Sequence, residues 1–274
     1  MGFNDACLYS EFSSFQKQDS YILFKEIVNY YEDQLENCET VLDVGCGPGD
    51  TFVNFMLPSL RNAEPKVVGV DVSVEMIELA RKQYGNECRH FHLFDIQSDL
   101  KKLDDIVHPK SFDLVTSSYC YQWVRDEESA LSNIYTLLKP GGFFFMIFPV
   151  HHFFYSVCID QAELEKFKPY LKLDEFITEH YLRENPVKDL SKRLVDSGFN
   201  VHNLELRQMN FTFPNLKHLE SAFKAVIPFR MPETVKSEFV ADSAIKMVNN
   251  YLDHETDDGG FNFSYKLMVV LATK

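Results

Sequence analysis

The stretch TVLDVGCGPGD, residues 40–50, decides the fold of this chain. It begins as a short apolar run, which is the pattern of a strand buried inside a parallel sheet. Three glycines with one residue between each follow, and a helical pattern then covers residues 51–60. Glycine allows backbone angles that a Cβ would forbid, and it lets a ligand approach the chain closely. A strand, a glycine turn and a helix in this order predict a binding loop for a nucleotide-like cofactor.

The charge around this loop narrows the choice of cofactor. A dinucleotide fold uses the spacing Gly-x-Gly-x-x-Gly and places its third glycine beneath a pyrophosphate. Here the spacing is Gly-x-Gly-x-Gly, and Pro48 and Asp50 occupy that region. Asp43 at the strand end would repel a pyrophosphate but attract an ammonium or a sulfonium group. S-adenosylmethionine (SAM) carries both cations and no phosphate. The loop therefore predicts SAM, and the alternative is a tight strand–helix turn without a ligand.

Two further predicted strands end in acids. Residues 66–71, KVVGVD, end in Asp71, which could accept both ribose hydroxyls of an adenosine. The alternative for Asp71 is a place beside a helix N-cap, because Ser73 fits the capping role. Residues 90–96 read as the third strand, and Asp95 could accept the adenine amino group while Ile96 donates its backbone N–H. A capping or surface aspartate is the alternative for Asp95.

The predicted cofactor contacts come from the ends of the first four strands. Met76 in the helix after Asp71 is placed to touch the adenine, and Ser117 ends the fourth strand, residues 112–117. Cys46 lies inside the loop, where a small packing role is favoured over a ligand contact. The full predicted set is Asp43, Gly45, Cys46, Gly47, Asp71, Val72, Met76, Asp95, Ile96 and Ser117.

Strands and helices continue to alternate, which predicts a parallel sheet. A helix at 127–138, a KPGG turn at 139–142 and a strand at 143–148 follow, then a helix at 186–197 and a strand at 201–213. Helices at 217–226 and 233–251 precede a last strand at 261–273. The predicted fold class is α/β: a Rossmann-like, seven-stranded, mostly parallel sheet with helices on both faces. The predicted segments are an N-terminal helical arm (1–38), a SAM-binding core (39–150), a helical cap insertion (151–185) and a completion of the sheet with substrate-cap helices (186–274).

Composition excludes several functions. The 274 residues carry a net charge of -14, which disfavours nucleic acids and anionic membranes as partners. The six cysteines form no C-x-x-C pair and no zinc-like spacing, so we expect no metal. Scattered thiols without a signal peptide favour a reducing, cytoplasmic location. No apolar run reaches the length of a membrane span. A homodimer is left open.

Five signals in sequence order carry a resemblance to a known family. They are residues 41–49, 67–71, 94–95, 112–117 and 138–142. Together they resemble the class I SAM-dependent methyltransferases across the first half of the chain. Within that superfamily the chain is similar to the insect juvenile hormone acid O-methyltransferases. The local cues are Leu8-Tyr9 followed by FQKQD at 15–19, SYCYQWV at 118–124, and an aromatic segment at 148–155.

The resemblance implies a substrate and a reaction. The substrate would be a sesquiterpenoid acid, either farnesoic acid or juvenile hormone acid, and the product its methyl ester. Gln122 stands where many relatives are expected to have a histidine, and the loop has the general superfamily form, so a paralogue with another acid specificity stays open. The alternatives are a methyltransferase of another small carboxylate or amine, and a SAM- or lipid-binding module without turnover. A dehydrogenase is disfavoured by the glycine spacing.

Methylation of a carboxylate needs orientation more than acid–base catalysis, because a carboxylate is already ionised at neutral pH. Gln16 and Trp123 are the candidate catalytic and substrate-binding donors, since both donate without carrying a charge. Packing is the alternative for Trp123, the only tryptophan, and a helix surface position is the alternative for Gln16. His151 and the neighbouring His152 are weaker candidates for the acid. The apolar chain would lie against Phe153, Phe154 and Tyr155, which could equally be ordinary core residues.

Overall fold

The computed structural model of the protein describes residues 5–61, 64–103, 108–177 and 179–274. Within these ranges the chain divides into two compact units. The larger unit comprises Ser14–Phe148, Asn185–Leu206 and Met268–Lys274. The smaller unit comprises the chain up to Ser13, Pro149–Glu184 and Arg207–Leu267. The four predicted segments, as functional divisions of the chain, stay predictions.

The described chain contains eight β-strands. In chain order they are β1 (Thr40–Val44), β2 (Lys66–Asp71), β3 (Arg89–Leu93), β4 (Phe112–Ser118), β5 (Leu138–His151), β6 (Asn200–Phe213), β7 (His254–Glu255) and β8 (Phe261–Thr273). Seven lie side by side in the order β3-β2-β1-β4-β5-β8-β6, and β7 pairs with β8 off this path. The predicted α/β class with a seven-stranded sheet is therefore confirmed, and the two-residue β7 is an addition to it.

Strands β1 to β5 pair in parallel. Strand β1 lies between β2 and β4, and its residues Val41, Leu42 and Val44 are at most 3% exposed. A strand covered on both faces needs apolar residues throughout, which explains why its sequence shows no alternation. The register aligns Asp43 with Gly69 of β2 and with Thr116 of β4. The carboxyl ends of these parallel strands consequently meet at one edge of the sheet.

Eleven α-helices connect the described strands. They are α1 (Ala6–Phe12), α2 (Ser14–Tyr30), α3 (Glu32–Leu35), α4 (Val74–Tyr84), α5 (Glu127–Leu137), α6 (Phe153–Ala162), α7 (Leu173–Phe176), α8 (Glu179–Leu182), α9 (Pro186–Asp196), α10 (Leu216–Val226) and α11 (Glu233–Tyr251). Side-chain caps fix several of their starts: Ser73, Asp126 and Asn185 each accept a hydrogen bond from the backbone N–H three residues on. Such caps satisfy N–H groups that have no partner inside the helix.

The third strand, predicted at 90–96, ends at Leu93 as β3, so Asp95 and Ile96 follow the strand. Two other predicted elements differ in type from the structure. The helix predicted at 51–60 is a π-helical turn over Phe52–Met56 followed by a 3₁₀ turn over Leu57–Ser59. Pro58 explains part of this, because it has no N–H for an α-helical bond. The KPGG turn predicted at 139–142 lies inside strand β5. There the register with β4 jumps from Phe112↔Leu138 to Leu114↔Phe143, so the residues in between bulge out of the ladder.

The smaller unit has an aromatic core. Phe153 stacks on Phe263 with 4.5 Å between ring centroids, and Phe154 lies 5.0 Å from Phe223. Phe167 meets Phe239 edge-on at 5.2 Å. These offset and edge-on geometries are the favourable ones for aromatic pairs. None of the helices in the described ranges combines the length and apolar character needed to cross a bilayer.

Candidate cofactor and substrate sites

The glycine loop after β1 has a backbone that other residues rarely adopt. Gly45, Gly47 and Gly49 have φ angles of +71°, +54° and +82°. The N–H groups of Gly45 and Cys46 both donate to the carbonyl of Val70, at 2.8 and 3.0 Å. A Cβ at Gly45 would overlap the Cys120 side chain. The loop therefore folds tightly over the end of β2, and position 45 has room only for a glycine.

Cys46 turns its thiol into the core beneath this loop. It is 5% exposed and shares a cluster with Val53, Ile77, Ala80 and Phe91. Burial raises the pKa of its thiol well above the usual range, and Asp71 and Asp43 add to the rise. A contact between Cys46 and a ligand above the loop would therefore come from its backbone.

Asp71 at the end of β2 ties the glycine loop to the next helix. Its Oδ2 accepts from the Gly47 N–H and its Oδ1 from the Ser73 N–H, both at 2.9 Å. Burial raises the pKa of this carboxyl, and hydrogen bonds from the backbone N–H groups of Ser73, Gly47 and Val72 oppose the rise. Ser73 caps α4 with its hydroxyl, so the cap and the strand-end acid are separate residues. A carboxylate offers about four acceptor sites, so Asp71 keeps capacity to accept from ribose hydroxyls.

Asp43 is a buried carboxyl at the end of β1. It is 6% exposed, and its Oδ1 accepts a 2.8 Å hydrogen bond from the Thr116 hydroxyl. Burial raises its pKa to about 7, Thr116 lowers it, and the neighbouring Asp71 raises it further. A carboxyl held in this way ionises readily once a cation replaces the lost water.

Near the end of β3, hydrogen bonds hold an acidic side chain, and two apolar side chains are exposed to solvent. The Asp95 Oδ1 accepts from the backbone and the side-chain amide of Gln97, each at 3.0 Å. Ile96 is buried, and its carbonyl accepts from Asn133 at 2.7 Å. Val72 and Leu93 are 54% and 53% exposed at the ends of β2 and β3. These two aliphatic side chains offer a surface on which a flat ring could lie.

Two predicted contacts are buried more deeply. Met76 on α4 and Ser117 at the end of β4 are each 1% exposed. The Ser117 hydroxyl faces the Cys120 thiol, whose pKa is raised by burial and by Asp71 and Asp43. Both side chains are buried, and a direct cofactor contact by either one stays a prediction.

The first turns of α2 face inward. Phe15, Gln16, Asp19 and Ser20 are all at most 3% exposed. The Gln16 Oε1 is buried and has no hydrogen-bond partner among the described residues. A buried amide with an unmade hydrogen bond needs an explanation, and a contact with a bound ligand is one. A half-turn of its terminal torsion would present either an acceptor to an ammonium or a donor to a carboxylate.

Trp123 ends a short turn that follows β4. The 3₁₀ turn covers Tyr121–Trp123, and the Trp123 N–H donates to the Cys120 carbonyl at 2.9 Å. The indole is half-buried, with its Nε1 inside the protein. Gln122 donates its amide to the Tyr119 carbonyl at 2.8 Å, which gives this side chain a structural partner. Gln16 and Trp123 thus both belong to the larger unit.

The other predicted substrate residues belong to the smaller unit. Phe153, Phe154 and Tyr155 are between 3% and 5% exposed within its aromatic core. His151 is exposed and lies edge-on to Tyr181 at 5.7 Å. Burial lowers the pKa of His152 to about 3, so this ring is neutral. Its Nδ1 accepts from the Phe154 N–H at 3.1 Å, which places the ring proton on Nε2.

The residues at the sheet edge fit SAM better than a phosphate cofactor. Asp43, Asp71 and Asp95 lie at the ends of neighbouring strands, and Asp50 follows the glycine loop. Lys17 forms an ion pair with Asp50 at 2.8 Å, and that pair is largely buried. Asp43 is buried and Asp71 and Asp95 are half-buried, and carboxylates at these positions favour a cationic ligand and repel a pyrophosphate. In the described part of the chain, no group of three or more histidine, cysteine or acidic residues is arranged to hold a metal ion.

Comparison with known proteins shows the family of the chain. The methyltransferase domain family matches residues 15–204, which contain the glycine loop and the strand-end acids. The chain belongs to this family. It is 31% identical over 278 residues to the juvenile hormone acid O-methyltransferase of Drosophila melanogaster, with 99% of this chain and 92% of that protein covered. It is 27% identical to the Bombyx mori protein of the same name, with 99% and 98% covered.

A solved methyltransferase shares the fold of the chain. Phosphoethanolamine N-methyltransferase 2 of Haemonchus contortus, in complex with phosphomonomethylethanolamine and S-adenosylhomocysteine, aligns with a TM-score of 0.51 at 18% identity. The alignment covers 91% of this chain and 52% of that one. This likeness concerns the fold. The domain match and the two relatives confirm the predicted family and enzyme class: the chain is a class I SAM-dependent O-methyltransferase.

Several residues around the methyltransferase site were not predicted from the sequence. Lys17 and Asp50 form their ion pair between α2 and the loop, and Tyr119 donates to Asp19 at 2.5 Å. Cys120 packs against Gly45. Lys17 and Asp19 follow Gln16 in the FQKQD segment, so their clustering was the available signal. Nothing in the local pattern at Tyr119 or Cys120 marks their contacts, because these depend on the chain's path after β4.

Proposed function

We propose that this methyltransferase converts the carboxylate of a sesquiterpenoid acid, either farnesoic acid or juvenile hormone acid, to its methyl ester. The observation that carries the proposal is the similarity to two juvenile hormone acid O-methyltransferases over 99% of the chain. That similarity extends beyond residue 204, where the methyltransferase domain match ends. It therefore includes helices α10 and α11 and strand β8, which contribute Phe223, Phe239 and Phe263 to the aromatic core.

The strand-end acids would hold the cofactor. Asp43 would pair with its amino-acid ammonium, Asp71 with the ribose hydroxyls, and Asp95 with the adenine amino group. Val72 and Leu93 would cover one face of the adenine, which would explain why these apolar side chains are exposed. Bound SAM supplies a methyl group on a positively charged sulfur. Its product, S-adenosylhomocysteine, is a neutral thioether at that atom.

The chain's task in this reaction is to place the acid. A carboxylate oxygen forms a bond to the methyl carbon as the carbon–sulfur bond breaks and its electron pair returns to sulfur. No proton moves, because the acid is ionised at neutral pH and the ester is neutral. Holding the oxygen, carbon and sulfur in line can supply several kcal/mol of the barrier reduction.

Gln16 and Trp123 are the proposed donors to the second carboxylate oxygen. Both are neutral, so they can orient the acid without the charge neutralisation that an arginine or lysine would cause. The Gln16 amide is buried with its Oε1 unpartnered among the described residues. The Trp123 Nε1 is also inside the protein. A hydrogen bond to a charged group is worth about 1.5–3 kcal/mol, which is enough to set the orientation of a small acid.

The apolar chain of the acid would contact aromatic side chains. Phe153, Phe154 and Tyr155 are proposed for this role together with His151. In the structure the three aromatic residues pack against their own unit, for example Tyr155 against Phe176 at 5.2 Å.

A different small carboxylic acid is the second candidate substrate, and Gln122 is the observation that favours it. This residue holds the Tyr119 carbonyl in place of the histidine expected in many relatives. The shape of the acceptor site next to Trp123 could differ accordingly.

Methyl transfer to a panel of acids tests the proposal. The protein is incubated with SAM and either farnesoic acid, juvenile hormone acid, short fatty acids or amines, and products are identified by mass spectrometry. We expect methyl esters of the terpenoid acids at the highest kcat/KM. No methylation of any terpenoid acid would refute the substrate and leave SAM binding intact. Esters formed only from other acids would support the second candidate.

A glutamine pair tests the orienting donor. Gln16→Leu removes the buried amide, and we expect kcat/KM for the acid to fall about 10- to 100-fold because a charge-assisted hydrogen bond is lost. Gln18→Leu is the matched control, since it removes the same group from the same helix at a less buried position. Equal effects of the two substitutions would contradict a specific role for Gln16.

A further inference from the structure

Tyr119, directly after strand β4, has an unusual backbone conformation. It follows the last residue of that strand and has a φ angle of +54°, in the left-handed region that a residue with a Cβ rarely adopts. In the described chain, Lys110 is the other non-glycine residue with positive φ. Strained backbone of this kind persists only where its surroundings hold it, and it is common at functional sites. At Tyr119, hydrogen bonds hold both the side chain and the backbone carbonyl.

The Tyr119 side chain binds helix α2. Its hydroxyl donates to the Asp19 Oδ2 at 2.5 Å, and Asp19 is fully buried. Its ring meets Phe15 edge-on, with centroids 5.7 Å apart. Phe15 and Asp19 bracket Gln16 on the inward face of α2, within one helical turn. One side chain thus fixes the turn of α2 that carries Gln16.

The Tyr119 carbonyl binds the turn that carries Trp123. It accepts the Gln122 amide at 2.8 Å, and Gln122 is 6% exposed and adjacent to Trp123. The Trp123 N–H closes the same turn on the Cys120 carbonyl. The two elements that present the proposed carboxylate donors therefore meet at a single residue.

We propose that Tyr119 is a positioning residue that sets the distance between Gln16 and Trp123 and so fixes the acceptor carboxylate in line with the methyl group. This inference rests on the proposed function, because it gives these two residues their role. The Tyr119 hydroxyl does not contact the reacting atoms in this scheme. It acts by holding α2 through Asp19, and a displacement of about 1 Å is enough to cost on the order of 100-fold in rate.

Tyr119→Phe removes the hydroxyl and keeps the ring that packs on Phe15. We expect kcat/KM for the acid to fall about tenfold or more, while the Kd for S-adenosylhomocysteine changes by less than about twofold. Trp123 is the only tryptophan of the chain, so its fluorescence reports this turn directly. We expect its quenching by acrylamide to increase. Asp19→Asn keeps an acceptor for the hydroxyl and should retain most of the activity and the wild-type quenching.

Two further variants keep the test decisive. Gln122→Met breaks the other contact of Tyr119 and should give the same pattern if Tyr119→Phe does not fold. Tyr251→Phe is the matched control, because Tyr251 donates to Asp160 at 2.6 Å in the smaller unit. It should leave kcat/KM and Trp123 quenching unchanged.

Wild-type kcat/KM and quenching in Tyr119→Phe would overturn the inference. If no acid is methylated at all, the proposed function fails, and unchanged or increased quenching still decides the role of Tyr119.

Discussion

At the scale of single residues, Asp43 makes the site sensitive to pH. Burial raises its pKa to about 7 in the free protein. Below that pH the carboxyl is protonated, and it must lose its proton before it can pair with the ammonium of SAM. We therefore expect the affinity for S-adenosylhomocysteine, which keeps the same ammonium, to fall by up to about tenfold per pH unit below about pH 7. Calorimetric titration at several pH values measures this.

The Asp43 carboxyl also makes the stability of the fold depend on pH, and this dependence is opposite in sign to that of the affinity. Its pKa in the folded protein exceeds that of the unfolded chain, so the free protein binds the extra proton between about pH 4 and 7. The free energy of unfolding should decrease as the pH rises through this window, by up to about 1.4 kcal/mol per pH unit. Asp43→Asn keeps an acceptor for Thr116 and should remove both dependences. Asp113→Asn is the control, because it removes a carboxylate at the other end of the neighbouring strand β4. It should leave the pH dependence of the affinity unchanged. A pH dependence that persists in Asp43→Asn would contradict this assignment.

The sequence was informative about residues whose role follows from their place at a strand end. Asp43, Asp71 and Asp95 were predicted in this way, because parallel strands bring their carboxyl ends together. Tyr119 could not be predicted, since its partner Asp19 is 100 residues away in the chain. Local pattern shows which residues end a strand, whereas a contact between a loop and a distant helix depends on tertiary packing.

At the scale of elements, prediction succeeded where a pattern was long and had clear ends. Helix α11 and strand β8 were predicted at 233–251 and 261–273, which are the bounds of the structure. The segment after the glycine loop was predicted as one helix, and it forms a π-helical turn and a 3₁₀ turn. Apolar spacing alone cannot distinguish these from an α-helix. The bulge in β5 was predicted as a turn because glycine and proline mark both features.

The glycine loop allows a prediction that separates two roles of glycine. Gly45→Ala introduces a Cβ at positive φ and also a clash with Cys120. Gly141→Ala is the matched control, because its φ of +79° is similar and nothing lies within 4 Å of the added carbon. The left-handed conformation costs about 1–2 kcal/mol in either variant. The clash should cost Gly45→Ala a further 1–3 kcal/mol or so of unfolding free energy, as overpacking does.

Ligand binding distinguishes these variants further. The loop folds over the end of β2 through Gly45, so we expect Gly45→Ala to lose at least about tenfold in affinity for S-adenosylhomocysteine. Gly141→Ala should bind normally. Denaturant unfolding and calorimetry on both proteins measure the two quantities. Equal losses of stability would mean that the backbone conformation alone requires glycine at position 45.

At the scale of the whole molecule, the charge balance affects stability. The chain has 41 acidic and 27 basic residues, and this excess of negative charge destabilises any compact state through self-repulsion. Raising NaCl from about 10 mM to about 100 mM shortens the screening length from about 30 Å to about 10 Å. We expect the melting temperature of the free protein at pH 7 to rise over this range, by roughly 2–4 °C for each kcal/mol of repulsion that salt screens. Scanning calorimetry measures the shift.

Salt and pH act on different charges. The salt dependence of the melting temperature can therefore be tested separately from the pH dependence that Asp43 causes. Salt screens exposed carboxylates, but it screens a buried carboxyl such as Asp43 much less. Wild-type protein and Asp43→Asn should therefore show the same dependence of melting temperature on salt, while their dependence on pH differs. Exposed ion pairs such as Lys192 with Asp196 would be weakened by salt, so a fall in melting temperature would mean that they outweigh the net repulsion. A salt effect that differs between the two proteins would show that Asp43 is accessible to ions, contrary to its burial.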